Sequence, residues 1–293
     1  MTGAAGSGAS KPHVHHRRYR VSPHVELAAD TWGRADAPPV VLLHGGGQTR
    51  HAWSGTGRAI AADGYFVASV DLRGHGESSW PEDGDYSLDA FVDDVVALAR
   101  QFSAPPVLVG ASLGGLSSLF AAATVEPPLA RALVLVDIAT RSEASGVEKI
   151  VAFMRAAPDG FASLEEAADL IATYLPHRPR RKDIEGLRKN LRHGADGRWR
   201  WHWDPRFIDG MRRPRVIDKV EMLDDAARKL RLPTLLVRGR MSEIVSEEGA
   251  RHFLDLAPHA QYVDIAGAGH MVAGDRNDAF TEAVRDFLTA LGR

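Results

Sequence analysis

The sequence of 293 residues contains no cysteine. This absence excludes disulfide bonds, thiolate metal sites and a cysteine nucleophile. No apolar run is long enough to cross a membrane, and the first twenty residues lack the apolar stretch of a secretory signal. The net charge is only −2, so no strongly basic surface is expected for nucleic acid or an anionic membrane. We therefore expect a cytoplasmic globular protein that binds neither nucleic acid nor membrane.

The sequence does contain enough apolar residues, 44% of the total, for a full core. Short apolar runs of strand type alternate with stretches of helical periodicity, which predicts an α/β fold with a mostly parallel sheet covered on both faces. No Gly-x-Gly-x-x-Gly pattern supports a dinucleotide fold. The alternation stops between residues 140 and 229, where the pattern is helical. We predict an α/β core over 16–139 and 230–293, a helical cap over 140–229, and a disordered tail over 1–15.

A serine between small residues follows one of the predicted strands. The apolar run 107–109 leads into Gly110-Ala-Ser112-Leu-Gly114, and a helical pattern of small residues comes next. A sharp strand-to-helix turn needs glycines two residues before and after the serine, because larger side chains would collide with the helix. The pattern alone is weak, since chance supplies it in many sequences. With its flanking strand and helix it predicts that Ser112 is a nucleophile.

A serine hydroxyl needs a base, and the base needs an acid that orients it. His270, in Gly267-Ala-Gly-His-Met, follows a predicted strand and is the candidate base. The acid is expected after the penultimate strand, where Glu243 stands, and Glu243 is the first choice. Asp137, at the end of the strand 132–136, is the alternative acid, and its structural role would be to brace the hinge of the cap.

Acyl transfer also needs donors for a developing oxyanion. The backbone N–H of Leu113, directly after the nucleophile, supplies one, and the N–H of Gly46 in His44-Gly-Gly-Gly-Gln48 is the candidate for the second. His44 and His75 are interpreted as braces of their loops. Gln48 is either a substrate contact or a solvent-facing amide.

These motifs, in this order, resemble the α/β-hydrolase superfamily: HGGGQ, DLRGHGES, GASLGG, RGRMSE and GAGH. The resemblance extends from about residue 17 to the end and is weakest in the cap. It implies an eight-stranded, mostly parallel sheet, a helical cap over the active site, and no cofactor or metal. The nearest types are bacterial esterases, cofactor-free haloperoxidases and epoxide hydrolases. Epoxide hydrolases carry aspartate at the elbow and generally use two cap tyrosines, whereas this chain has Ser112 and, in the cap, only Tyr174.

The cap offers a candidate pocket wall. Trp199, Trp201 and Trp203 alternate, so in an extended segment their indoles would face one side. They would either line an apolar acyl pocket or pack the cap onto the core. A basic run at residues 177–182 is predicted to be solvated surface.

Together the residues predict a serine hydrolase that cleaves an ester or related acyl bond of a small, largely apolar molecule through an acyl-enzyme. A C–C bond hydrolase or a thioesterase with the same triad is the alternative within the fold. A non-catalytic ligand-binding protein of this fold is the alternative from another class.

Overall fold

The computed structural model describes residues 13–176, 183–210, 216–275 and 277–292. Within them the strands are β1 (His15–Ser22), β2 (Val25–Trp32), β3 (Pro39–Leu43), β4 (Phe66–Val70), β5 (Val107–Ala111), β6 (Ala132–Val136), β7 (Leu191–His193), β8 (Trp199–Trp201), β9 (Thr234–Gly239) and β10 (Gln261–Ile265). The α-helices are α1 (Ser54–Ala62), α2 (Leu88–Ala99), α3 (Leu113–Thr124), α4 (Ala144–Arg155), α5 (Leu164–Tyr174), α6 (Pro205–Gly210), α7 (Val216–Lys229), α8 (Glu247–Leu256), α9 (Val272–Asp275) and α10 (Asn277–Ala290). Two 3-10 helices lie at Arg50–Trp53 and Glu185–Asn190.

The main sheet has eight strands in the order β1-β2-β4-β3-β5-β6-β9-β10. β1 and β2 pair antiparallel with their neighbours, and β4, β3, β5, β6, β9 and β10 run parallel. The α/β fold predicted from the sequence is confirmed. Because β3, β5, β6 and β9 are adjacent and parallel, the loops that follow them meet at one edge of the sheet, where this fold type places its ligands.

Helices cover both faces of the sheet, since the parallel strands are apolar on both sides. In β3, Val41 and Leu43 belong to one buried apolar cluster, and Val40 and Leu42 belong to the other. The first cluster contains residues of α2, α3, α7 and α8, and the second contains residues of α1 and α10. This two-sided burial explains why the strands read as continuous apolar runs in the sequence.

The elements from α4 to α7 lie between β6 and β9 in the chain and outside the main sheet. They correspond to the segment expected to form a cap, but they are not purely helical. β7 and β8 form an antiparallel hairpin, and the preceding residues Glu185–Asn190 form a 3-10 helix. Apolar side chains of this segment join the first buried cluster and so attach the segment to the core, among them Met154, Phe161, Trp201, Trp203 and Phe207.

Two expectations from the sequence concern residues outside the described ranges: residues 1–12 of the expected tail, and the whole basic run 177–182. The last residue of the expected tail, His15, is the first residue of β1. Among the described residues, no helix has both the length and the apolarity that crossing a membrane requires.

Candidate active site

Ser112 lies at the junction of β5 and α3 in a backbone conformation that few side chains adopt. Its φ is +46° and its ψ is −112°. A Cβ on Gly110 would lie 2.5 Å from the carbonyl carbon of Gly114, and one on Gly114 would lie 2.5 Å from the carbonyl oxygen of Leu43. Both glycines are therefore required by backbone contact: Gly110 by the start of α3, as predicted from the sequence, and Gly114 by the end of β3. Strain of this kind is concentrated at functional sites.

His270 is hydrogen-bonded to Asp137. Its Nδ1 lies 2.7 Å from Asp137 Oδ2, and the Asp137 side chain is fully buried. Asp137 directly follows β6 and has a φ of +48°, so it is a second residue in the left-handed region at the same edge of the sheet. Its backbone N–H donates to Val237 of β9 over 2.7 Å. The Ser112 backbone N–H donates to the carbonyl of Val136, the residue before Asp137, over 3.3 Å.

The first choice for the acid, Glu243, is wrong. Its carboxylate pairs with Lys149 of α4 at 2.9 Å, and its side chain is 65% exposed. The reason is the tight turn after β9, which the Ser242 N–H closes by donating to the carbonyl of Gly239 over 2.9 Å. This turn directs the Ser242 side chain towards Asp137 and the Glu243 side chain outward. The alternative acid, Asp137, occupies the position beside the imidazole.

The Asp137 carboxylate accepts two further hydrogen bonds. The backbone N–H of Gly239 donates to Oδ1 over 2.9 Å, and the Ser242 hydroxyl donates to Oδ2 over 2.5 Å. A buried carboxylate without such donors would be costly to keep ionised. Ser242 was not recognised in the sequence. A serine three residues after the end of a buried strand, in a turn expected to hold an acid, is the signal that could have found it.

The residues 44–48, here called the glycine loop, run beside Ser112. A Cβ on Gly45 would lie 3.2 Å from the Ser112 Cβ. The backbone N–H of Gly114 donates to the carbonyl of His44 over 3.2 Å, which ties the loop to the start of α3. Within the described residues, the backbone amides of Gly46 and Leu113 donate to no other group. Both amides remain candidates for the oxyanion donors that the sequence predicts.

Three buried histidines hold the glycine loop in place. His44 Nε2 accepts the N–H of Leu72 over 3.0 Å, and His75 Nε2 accepts the N–H of Gly47 over 3.1 Å. His202, which follows β8, accepts the N–H of Gly76 at Nδ1 over 2.8 Å, and its Nε2 lies 3.3 Å from the carbonyl oxygen of Gly47. His44 and His75 act as loop braces, as the sequence suggested. His202 was not anticipated, because it is distant in sequence from the loop that it holds.

The same three histidines are held neutral. Burial lowers the pKa of His44 to about 4 and that of His75 to about 3, from the ordinary value of 6.5. Burial also lowers the pKa of His202 well below its ordinary range, and the neighbouring His75 and His44 add to this effect. A neutral imidazole has one N–H and one acceptor nitrogen, which is what the backbone partners of each ring require. Protonation would place a second donor against a backbone N–H.

A cavity of about 640 Å³ lies between the core and the segment α4–α7. Ala111, Val136 and His270 form the end nearest the sheet edge. One wall is aromatic: Phe153 stacks on Tyr174 with ring centroids 4.2 Å apart, and Trp201 stacks on Trp203 at 4.8 Å. Burial raises the pKa of Tyr174, with a smaller contribution from Glu243. The outer part of the cavity is more polar and includes Arg58, Asp183, Lys189 and Asn190.

The three tryptophans do not share one role. Trp201 and Trp203 line the cavity and are also buried, so they combine the two roles considered from the sequence. Trp199 is not among the cavity-lining residues. Its ring packs on His193 at 4.5 Å, and the guanidinium of Arg188 lies 4.8 Å from its centroid. Gln48 does line the cavity, with its Oε1 accepting the N–H of Gly45 over 3.2 Å.

The DLRGHGES segment braces the same edge of the sheet. Asp71 accepts the backbone N–H of Arg50 over 2.6 Å and that of Glu77 over 2.9 Å, and it forms a buried ion pair with the Arg50 guanidinium. Asp30 also pairs with Arg50, at 2.9 Å. In the part of the chain that the structure describes, no group of three or more histidine, aspartate or glutamate side chains is arranged to hold a metal ion.

The depressed pKa values of His44 and His75 predict a loss of stability in mild acid. Their stabilisation is complete above pH 6.5 and falls as the pH drops below that value, because only the unfolded chain then takes up protons. Between pH 8 and pH 5 each ring should reduce the free energy of unfolding by about 2 kcal/mol. Urea unfolding at the two pH values measures this loss. A His75→Gln variant should lose about 2 kcal/mol less between them, and an equal loss in both proteins would contradict the assignment.

This chain is similar to known proteins in both sequence and structure. A family model described as alpha/beta hydrolase fold matches residues 38–276. An esterase from Mycobacterium tuberculosis is 32% identical over 273 residues, which is 89% of this chain and 86% of the relative. A 2-(acetamidomethylene)succinate hydrolase from Mesorhizobium japonicum is 28% identical over 239 residues, 78% of this chain and 80% of the relative.

Solved structures agree with these matches. The crystal structure of E-2-(acetamidomethylene)succinate hydrolase has a TM-score of 0.80 at 25% identity, over 94% of this chain and all of the other. A structure of the Mycobacterium tuberculosis esterase has a TM-score of 0.75 at 29% identity, over 96% of this chain and 93% of the other. The resemblance stated from the sequence motifs is confirmed. Since the family model matches most of its length and the esterase is related to it over nearly the whole chain, this protein belongs to the alpha/beta hydrolase family and is a hydrolase.

Proposed function

We propose that this protein is a serine hydrolase that cleaves an ester bond of a small, largely apolar molecule through an acyl-enzyme. The observation that carries the proposal is the 2.7 Å hydrogen bond between His270 Nδ1 and the buried Asp137 carboxylate. Because Nδ1 is occupied by this hydrogen bond, Nε2 is the ring nitrogen that would exchange protons with Ser112. The strained elbow at Ser112, on the strand next to that of Asp137, supports the same assignment.

In the proposed mechanism the Ser112 hydroxyl attacks the substrate carbonyl carbon while His270 takes its proton. The Asp137 carboxylate orients the imidazole and stabilises the imidazolium that forms. The N–H groups of Leu113 and Gly46 donate to the oxygen on which negative charge develops, and the N-terminus of α3 adds its positive dipole end. His270 then gives the proton to the leaving alcohol. Water attacks the acyl carbon while His270 takes its proton, and His270 returns this proton to the Ser112 oxygen as the acid product leaves.

The proposed substrate class follows from the cavity. Its aromatic wall suits an apolar acyl or aromatic group, since such side chains contribute large apolar area with fixed orientation. Lys189 and Arg58 stand in the outer part, together with Asp183, so the polar end of a substrate would face outward. The related esterase supports ester hydrolysis as the reaction type.

A fluorophosphonate probe tests the nucleophile. The probe reacts with an activated serine, and we expect covalent labelling of the wild type at neutral pH with a mass shift on the peptide that contains Ser112. The Ser112→Ala variant should show neither labelling nor ester turnover, because the substitution removes the attacking oxygen. Intact-protein and peptide mass spectrometry measure the labelling, and release of the alcohol measures the turnover. A wild type that stays unlabelled would contradict the proposed mechanism.

The acid is tested by comparing Asp137→Asn with Glu243→Gln. An amide at position 137 cannot carry the charge that stabilises the imidazolium, so kcat should fall by about 10⁴, the loss that the same exchange causes in a serine protease. Glu243→Gln removes only an exposed ion pair and should leave kcat within about twofold of wild type. Steady-state turnover of a p-nitrophenyl ester measures both values. A larger loss in Glu243→Gln would refute the assignment of Asp137.

Acyl-chain dependence tests the aromatic wall. Trp201→Leu removes contact area inside the cavity. We expect kcat/KM for p-nitrophenyl hexanoate to fall about tenfold, because each methylene of the acyl chain gains about 0.8 kcal/mol on burial. For p-nitrophenyl acetate, which lacks these methylenes, kcat/KM should change little. Trp199→Ala is the matched control, since this indole lies away from the cavity, and it should keep the wild-type ratio of the two esters. Equal ratios in all three proteins would argue against an acyl pocket at this wall.

A further inference from the structure

Ser242 holds the Asp137 carboxylate through a hydroxyl whose direction is fixed. Its Oγ accepts the backbone N–H groups of Ile244 and Val245, each over 3.1 Å, and donates to Asp137 Oδ2 over 2.5 Å. A serine hydroxyl has two acceptor lone pairs and one hydrogen. Because both lone pairs are occupied by backbone donors, the hydrogen is directed at the carboxylate.

The oxygen that receives this hydrogen is the one that His270 uses. Asp137 Oδ2 accepts from both Ser242 and His270 Nδ1, while Oδ1 accepts from the Gly239 N–H. Two donors on one oxygen share its charge, and hydrogen bonds to a charged acceptor are the strong ones. The Ser242 hydroxyl therefore limits the rotation of the carboxylate. It also takes up part of the charge on Oδ2, so the carboxylate stabilises a protonated imidazole less strongly.

We propose that Ser242 is a positioning residue of the active site, which fixes the plane of the Asp137 carboxylate and keeps the imidazole of His270 unprotonated to lower pH. This inference rests on the proposed serine hydrolase function. Since the base must be unprotonated to accept the serine proton, Ser242 would extend the active range of the enzyme into mild acid.

The charged groups near Asp137 and His270 are paired with one another and do not replace the hydrogen bond from Ser242. Arg238 and Arg240 both pair with Asp264, each at 3.1 Å, and Glu243 pairs with Lys149 of α4. Replacing Ser242 by alanine would change the number of donors on Asp137 without changing any charge. A change in the pH dependence of activity then reports the hydrogen bond itself.

The test is the pH profile of kcat/KM for a p-nitrophenyl ester in Ser242→Ala. We expect the acidic limb to move to higher pH by about one unit, the size expected for losing a hydrogen bond to a charged group, and kcat at its plateau to fall about tenfold. Ser242→Thr retains the hydroxyl and should restore the wild-type limb. Ser242→Cys, a weaker donor, should give an intermediate shift, and it also serves if the alanine variant does not fold.

Two controls separate positioning from loop stability. Ser246→Ala removes a serine in the same loop that caps α8 through the Gly249 N–H, at 3.2 Å, so it should lower the melting temperature and leave the pH profile unchanged. In an Asp137→Asn background Ser242→Ala should cause no further shift, because the two residues act through one carboxylate.

Either a wild-type profile in Ser242→Ala or a shift that persists without Asp137 would overturn the inference. Failure of the underlying function is distinguishable, since the wild type itself would then neither hydrolyse the ester nor be labelled at Ser112.

Discussion

A carboxylate with no access to solvent is the constraint on which the candidate active site depends. Asp137 is fully buried, and burying a carboxylate without hydrogen-bond donors is costly. Its donors come from three different parts of the chain: the strand end at Gly239, the turn at Ser242 and the loop at His270. The parallel order of β6, β9 and β10 brings these parts together. The hydrogen bonds to Asp137 therefore depend on the sheet topology, since a different strand order would leave this carboxylate without its donors.

The elements that repeat a simple pattern could be predicted from the sequence alone. Continuous apolar runs predicted the parallel strands, and the small residues around Ser112 and His270 predicted loops at the carboxyl edge. Both are local signals: a residue type and its near neighbours suffice to define them. Gly110 belongs to the same class, because its backbone contact is with Gly114, only four residues away, whereas the need for Gly114 arises from its contact with Leu43 on another strand.

The remaining site residues depend on contacts that no local pattern records. Glu243 and Ser242 are neighbours in one turn, and only the hydrogen bond that closes the turn decides which of them faces Asp137. The choice of acid failed for that reason. The hairpin β7–β8 interrupts a segment of helical character, and its pairing at Leu191 and Trp201 is visible only once the two strands are side by side. Tertiary pairing overrides local propensity there.

His202 links the segment α4–α7 to the glycine loop. This histidine comes from outside the main sheet, yet its two ring nitrogens reach the backbone of Gly76 and Gly47 in the core. A substitution that displaces His202 would therefore also disturb the glycine loop beside Ser112. A substitution at Phe153, which lines the cavity, would leave that brace in place.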